Sequence, residues 1–516
     1  MDPLRPEHPA RTALADLAAG LDLAAPLADG NTEVTGVCLD SRQVAPGDLY
    51  AALPGANVHG ARFAAQAAVA GAAALLTDPA GADLAREAGT TLPSLVVADP
   101  RAVLGEVSAR VYRTRRPAPT MVGITGTNGK TTTAYLIDSA LETLGRSVAM
   151  IGTVEIRLGP VRVTSARTTP EAPALHGMVA RMAEVGVDTC VMEVSSHALD
   201  LHRVDGLVYD LALFTNLSQD HLDHHHDMES YFAAKARLFT PAHARRALIC
   251  VDDAWGQRLA GAAPIPVRTL ASAGPADYRL TADTQDPAAF TLTFADGPAG
   301  STRLALRSAL PGDFNRVNTA LAAAALLELG HPVADVVEAV LADPRVPGRM
   351  EVVRTLGDPT AAPLAVVDYA HTPDAVAAAL AALRSRAPDG LLVVVGAGGD
   401  RDRGKRPGMG AAASAGADIV YVTDDNPRSE DPETIRAAVI AGAREVAPGR
   451  PIHEISDRRA AIRAAAAEGV RRGPGAVIAV LGKGHESTQE IAGVVHPFDD
   501  REELRDALEA ALGDRG

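Results

Sequence analysis

The stretch TMVGITGTNGKTTT, Thr120–Thr133, decides how the chain is read. TMVGI is a short apolar run, TGTNGK is a glycine-rich turn, and AYLIDSALETLG after the threonines is helical in character. Strand, glycine turn, Lys-Thr and helix is the arrangement that cradles phosphates. Backbone N–H groups and the helix N-terminus hold the anion, Lys130 neutralises charge, and Thr131 can ligate Mg²⁺. Gly126, Thr127, Asn128, Gly129, Lys130, Thr131 and Thr132 are therefore expected to bind a nucleotide, ATP being the one expected. The strict GxxxxGK[ST] pattern is not met, because position 124 is Ile and Gly123 lies one residue too early.

Around this loop the chain has room for several domains. Its 516 residues exceed one ordinary core. With 47% apolar and 22% charged residues it has a globular composition. A net charge of −15 argues against nonspecific nucleic-acid binding, and 3% aromatics leave little for base stacking. Three cysteines without CxxC spacing suit a reducing compartment. The N-terminal MDPLRPEHPARTALADL lacks an apolar signal core. Phe63–Thr77, FAAQAAVAGAAALLT, is the longest uncharged helical-looking run and is too short to span a bilayer. A cytoplasmic protein without membrane insertion is expected.

Short β-branched runs alternate with Ala/Leu-rich helical patterns, the mark of α/β domains with parallel sheets. Residues 1–117 are expected to form an N-terminal domain with strand-like runs VTGVCLDS, DLYAAL, AALLTD and SLVVAD, and with the basic, proline-bearing YRTRRPAP (Tyr112–Pro119) as linker. Residues 118–346 form the phosphate-loop domain, whose Gly256–Gly312 part reads as antiparallel pieces (FTLTFADG, TRLALRS). Residues 347–516 form a third, Rossmann-like domain. There, LAVVDYAH, GLLVVVGAGGD, ADIVYVTDDNPR, PIHEISD and GAVIAVLGKGHE each end in polar or charged residues. Ligands of open parallel sheets bind at the carboxyl ends of strands, so these clusters should line one edge.

The segment QDHLDHHHD, Gln219–Asp227, packs four histidines and three acids into nine residues and poses the question of a zinc cage. His224, His225 and His226 leave one backbone in different directions and cannot all face one ion, so they are read as solvated or supporting. Glu193 and His221 each follow an apolar strand on the phosphate-loop edge, the usual position for a Mg²⁺-holding acid beside such a loop. Ser196 and His197, as sequence neighbours, make a poor nucleophile–base pair.

The form GTNGKT resembles the phosphate loop of the Mur ligases and their folylpolyglutamate synthetase relatives, three-domain, ATP-dependent amide-forming enzymes. The resemblance spans essentially the whole chain and is nearest to the members that add diaminopimelate to UDP-MurNAc-L-Ala-D-Glu in peptidoglycan synthesis. It implies two Mg²⁺ ions, with Thr131, Glu193, His221 and a carbamylated Lys235 as ligands; with Lys130 these form the catalytic set. LDSRQVAPGDLY, ARTTPEA and SSHALDLHR imply contacts to the UDP-muramoyl peptide from Leu39, Ser41, Thr168, Thr169, Ser195 and Arg203. A glutamine contact of some members falls at Leu201. FNRVN, GRME and DYAHTP imply that Asn318, Arg349 and His371 flank ATP. TDDNPR, GGDRDRGKR and GKGHE imply diaminopimelate contacts from Asp425, Asn426, Pro427, Arg428, Arg401, Gly482 and Glu486. Diaminopimelate is lysine with one more carboxylate, and Arg428 can grip that carboxylate through a planar fork. The family's chemistry implies an acyl phosphate attacked by the amine, in a protein expected to be monomeric. The competing readings are the same scaffold adding lysine or ornithine, a folylpolyglutamate synthetase, and a regulatory P-loop ATPase.

Overall fold

A computed structural model of the chain describes residues 3–115, 119–295, 300–342, 344–356 and 362–513. The expected boundary at 117/118 lies outside the described residues. Three sheets organise the fold. The first joins Gly36–Cys38, Asp48–Ala51, Ala74–Thr77 and Ser94–Val96 in parallel, in that order. The run Phe63–Thr77, helical-looking as a whole but strand-like at its AALLT end, divides. A helix covers Ala64–Val69, Gly71 takes φ +101°, and Ala74–Thr77 becomes a fully buried strand. Left-handed backbone at a glycine ends the helix, and the apolar run beyond it pays no penalty for entering a sheet.

The second sheet has eleven strands. At its centre, Thr120–Thr125 lies parallel between Thr189–Glu193 and Leu211–Phe214. Register pairs Glu193 with Ile124 and Phe214 with Thr125, so three carboxyl ends finish level with the phosphate loop. The far edge, Tyr278–Ala282, Ala289–Ala295 and Ser301–Arg307, is antiparallel as expected. Helices Lys130–Thr143 and Asp313–Glu328 cover one face through Leu136, Ile137, Leu321 and Leu326, all buried, each worth roughly 1.5–3 kcal/mol.

The third sheet sets Leu364–Asp368, Ala476–Leu481, Gly390–Val395, Ile419–Val422 and Ile452–Glu454 in parallel, with Glu351–Val352 antiparallel at one edge. Its central strands are buried on both faces, which is why they read as continuous apolar runs. Their polar ends do line one edge. Among the described residues no helix is long and apolar enough to cross a membrane.

Candidate active site

Helix Lys130–Thr143 starts at Gly129, which takes φ +88° and offers no side-chain cap. Its first N–H groups are thus left for an anion. A Cβ at Gly129 would lie 2.6 Å from the Asn318 amide oxygen, so Asn318 packs directly on the loop. Lys130 Nζ donates to the carbonyls of Gly126 and Thr127, both at 2.9 Å. Thr127 and Asn128 are tied to the strand end beyond Phe214: Thr127 N donates to Asn216 O and Asn128 N to the Asn216 side chain.

Glu193 is 1% exposed, and its carboxylate accepts from Thr131 Oγ at 3.0 and 2.9 Å. It also accepts from Thr153 N at 2.8 Å and Thr153 Oγ at 3.0 Å, and among the described residues it has no ion pair. A buried carboxylate and two hydroxyls beside a phosphate loop form an oxygen donor set suited to a small hard cation. Lys235, also 1% exposed, donates to the same Gly126 carbonyl that Lys130 uses, at 2.8 Å. Burial, then the nearby Lys130 charge, push the Lys235 amine well below its ordinary pKa. Its Nζ lies 4.6 Å from the Tyr231 ring centre, and the His221 ring stands edge-on to that ring with centres 6.1 Å apart.

Residues of the third sheet reach this centre. Arg349 stacks on Tyr369, 4.2 Å from guanidinium carbon to ring centre, and donates to Thr131 Oγ at 3.4 Å. Asp220, 6% exposed, faces three cationic or titratable groups: His221 at 3.5 Å, His371 at 3.7 Å and Lys405 at 3.6 Å. Despite burial, its hydrogen bond to His371 and these charges hold its carboxyl well below the usual range. Asp220 and Lys405 were not among the expected site residues. Only their meeting across 185 positions, read from the numbering, reveals them.

Beside Glu193 lies a hydroxyl-rich ledge. Thr168 Oγ is 3.1 Å from Thr153 Oγ, and Thr169 Oγ donates to Glu193 O at 2.9 Å while accepting from Ser195 N. Ser195 caps the next helix through Ala198 N. Arg203 pairs with Glu171 at 3.0 Å and reaches Thr169 O at 3.4 Å. Leu201 presents its carbonyl, not its side chain, to Arg101 of the N-terminal part at 3.4 Å. Leu39 and Ser41 lie apart from this ledge: Ser41 donates to Gln66, and Leu39 packs into the N-terminal core.

At the third sheet's edge, Asn426 donates to Glu486 at 2.8 Å, and Asn426 and Glu486 both take hydrogen bonds from the fully buried Lys483. Lys483 was not singled out from sequence either. Arg428 has φ +52°, and Nη1 donates to Gly399 O at 2.6 Å while Nε is 3.7 Å from Glu490. Gly399 N donates to Asn426 O at 2.8 Å, and a Cβ at Gly399 would stand 1.9 Å from Pro427 O. Gly482, at φ +119°, lies under the Asp425 carboxylate. Behind both loops, Arg458 and Asp500 form a pair with neither side chain exposed, and Arg458 donates to Leu481 O at 3.0 Å. Arg401 is exposed at the rim.

The histidine segment is less dispersed than its sequence implies. His226 does turn away, at φ +66°, but His224 and His225 converge with Asp200. Ser196 Oγ is buried without a hydrogen-bond partner among the described residues, so no Ser–His pair forms with His197.

Family models match three consecutive segments: the Mur ligase family catalytic domain at residues 33–112, the Mur ligase middle domain at 124–326, and the Mur ligase glutamate ligase domain at 348–484. The chain is 50% identical to the UDP-N-acetylmuramoyl-L-alanyl-D-glutamate--2,6-diaminopimelate ligase of Streptomyces coelicolor, covering 99% of each. It is 48% identical to the UDP-N-acetylmuramyl-tripeptide synthetase of Leifsonia xyli subsp. xyli, covering 98% of each. A solved UDP-N-acetylmuramoyl-L-alanyl-D-glutamate--2,6-diaminopimelate ligase superposes with a TM-score of 0.65 at 34% identity, over 98% of this chain and all of that one. The phosphate loop and the buried Glu193 fall within the matched middle segment and the third sheet within the matched glutamate ligase segment, and with relatives matched over nearly the whole length the chain belongs to the Mur ligase family.

Proposed function

We propose that this chain is the ATP-dependent ligase that joins 2,6-diaminopimelate to the D-glutamyl γ-carboxylate of UDP-MurNAc-L-Ala-D-Glu, a step of peptidoglycan precursor synthesis. One observation carries the reading: Arg349 and His371 of the third sheet contact Thr131 and Asp220 at the phosphate loop, while the same sheet carries the Asp425–Arg428 loop. A nucleotide site and a cation-bearing amino-acid site on one joined edge are what a two-step ligation needs.

The γ-carboxylate oxygen attacks the γ-phosphorus of ATP and ADP departs; the diaminopimelate amine then attacks the acyl carbon, and inorganic phosphate leaves. Lys130 and the uncapped amides of helix Lys130–Thr143 offset charge on the transferring phosphoryl group. Asn318 and Arg349 flank the nucleotide, with His371 beside them. Thr168, Thr169, Ser195 and Arg203 hold the muramoyl peptide, whose uridine end extends toward Leu39 and Ser41. Asp425, Asn426, Arg428, Gly482 and Glu486, with Arg401 at the rim, hold diaminopimelate. Closure of the third domain keeps water from the acyl phosphate.

Thr131 would hold one Mg²⁺ ion, and Glu193 and His221 with a Lys235 carbamate would hold a second; the ions would supply charge stabilisation at the phosphates. The carbamate reading rests on the buried Lys235 and the half-buried Lys130 donating to one carbonyl. That crowding favours a neutral Lys235 amine, the form that adds CO₂, and the product exchanges a cation for an anionic oxygen ligand. The domains divide near residues 117 and 346, the protein acts in the cytoplasm, where UDP-linked substrates and ATP are found, and it works as a monomer.

The decisive experiment follows phosphate release and product mass with UDP-MurNAc-L-Ala-D-Glu and a panel of amino acids. Phosphate should appear only when the dipeptide and diaminopimelate are both present, with a product heavier by diaminopimelate less water. Phosphate release without either substrate, or a product carrying lysine in preference, refutes the reading.

A further inference from the structure

We propose that Asp200, His224 and His225 form a second kind of metal site, one for a borderline divalent ion of the Zn²⁺ class, separate from the Mg²⁺ positions at the phosphate loop. Asp200 ends helix Ser196–Asp200, and the two histidines end the short helix Leu222–His225. One ligand atom from each of the three residues lies within 4.8 Å of the other two. A tetrahedral zinc ion with bonds of about 2.0–2.2 Å needs its ligands about 3.4 Å apart, so binding calls for shifts of roughly 1–1.5 Å. Side-chain rotation supplies that.

A separate observation points to a ligand. His225 is 4% exposed, yet its Nε2 is buried with no hydrogen-bond partner among the described residues. A buried ring nitrogen left unsatisfied is costly, and a bound cation would remove that cost. His224 is already oriented, its Nε2 2.9 Å from Asp200 Oδ2. The His197 ring sits 4.3 Å from the His224 ring and 5.4 Å from that of His225, so a further imidazole is at hand for the fourth position. Asp200 and His224 have 47% and 32% of their side chains exposed, which gives an ion access from solvent. Two or three imidazoles with one carboxylate select Zn²⁺, Co²⁺ or Ni²⁺. Mg²⁺ prefers oxygen ligands and waters in octahedral geometry.

The test uses full-length, tag-free protein in excess Mg²⁺, titrated with Co²⁺ and read by its visible absorption. One Co²⁺ per chain should bind with a tetrahedral spectrum and be displaced by Zn²⁺. Affinity should fall by at least ~10–100-fold in both His224→Gln and Asp200→Asn, and persist in His221→Gln. Both substituted positions are solvent-accessible, and ligation measured without transition metal should be unchanged in them. Undiminished Co²⁺ affinity in either variant overturns the site, as does the absence of tetrahedral binding. Loss of binding in His221→Gln alone assigns the ion to the Mg²⁺ centre and equally overturns it.

Discussion

Replacing Arg428 by alanine should separate diaminopimelate from lysine. The Arg428 backbone is pinned independently of its side chain: its N–H donates to Glu490 O at 3.0 Å, and its carbonyl accepts from Ala492 N at 2.7 Å. Truncation therefore removes the guanidinium and its bond to Gly399 O, while these backbone bonds and that of Gly399 N to Asn426 O still hold the loop. A charge-assisted hydrogen bond to the distal carboxylate is worth about 1.5–3 kcal/mol. Two features favour the lower part of that range. The guanidinium keeps 24% of its side chain exposed, and Glu490, 3.7 Å away, already shares its charge. About 1.5–2 kcal/mol corresponds to a loss of roughly 10- to 30-fold in kcat/KM for diaminopimelate. Lysine lacks the distal carboxylate, so its slow use should stay level or rise slightly. Arg428→Lys should fall between wild type and alanine, because it keeps charge but not the planar fork. The assay is kcat/KM for each amino acid at saturating ATP and UDP-substrate. Equal losses for diaminopimelate and lysine would show that Arg428 only shapes the loop, and the reasoning would fail.

Lys130→Ala should abolish ligation by removing the cation beside the phosphates; near-normal turnover at saturating ATP contradicts the phosphate-loop assignment. Lys235→Ala should lose ~100-fold or more in kcat, as expected for a lost metal ligand, with partial recovery on adding a short carboxylic acid. An intact-mass measurement showing a bare lysine in fully active enzyme would falsify the carbamate. Asp500→Asn leaves Arg458 charged and buried without its partner and should cost about 3–5 kcal/mol in denaturant unfolding; a loss below about 1 kcal/mol refutes that role. His176 is fully buried, with its pKa lowered to about 4, chiefly by burial. The unfolded chain binds its proton first, so stability is intact above pH 6.5 and drains toward pH 4, by up to ~3 kcal/mol. His176→Gln should flatten that part of the pH–melting profile; an unchanged profile rules the histidine out as its source.

Sequence reading reached as far as local chemistry extends. The strand–glycine–Lys-Thr–helix order placed the phosphate loop because each element's signal lies within a few residues of the next. Glu193 was singled out because it ends an apolar strand next to that loop, and His221 because it lies in the loop that follows another. Asp220 was visible as one acid among several, but its partners His371 and Lys405 come from another sheet, and no periodicity links them. Lys483 and the Arg458–Asp500 pair were missed for the same reason: charged residues read as surface until their neighbours are known. The run Phe63–Thr77 looked helical as a whole while its AALLTD end read as a strand, because alanine and leucine suit helix and buried strand alike; the structure divides them at Gly71. The histidine segment was judged from backbone direction, which could not foresee Asp200 arriving from another helix beside His224 and His225.

The contact between Gly399 and Pro427 bears on how such an enzyme can change its diet over generations. A Cβ at position 399 would stand 1.9 Å from the Pro427 carbonyl, so almost any mutation there collides with the loop that carries Arg428. The Gly399 amide is also spent on Asn426 O, which fixes the two loops against each other. Drift in loop spacing is thereby closed as a route to a new amino acid. On the proposed role of Arg428, a lineage descending from this sequence would alter its preference by exchanging side chains, at 428 and its neighbour 490, on a backbone that stays where it is. Such change arrives in single steps, each one visible to selection as an immediate gain or loss of substrate.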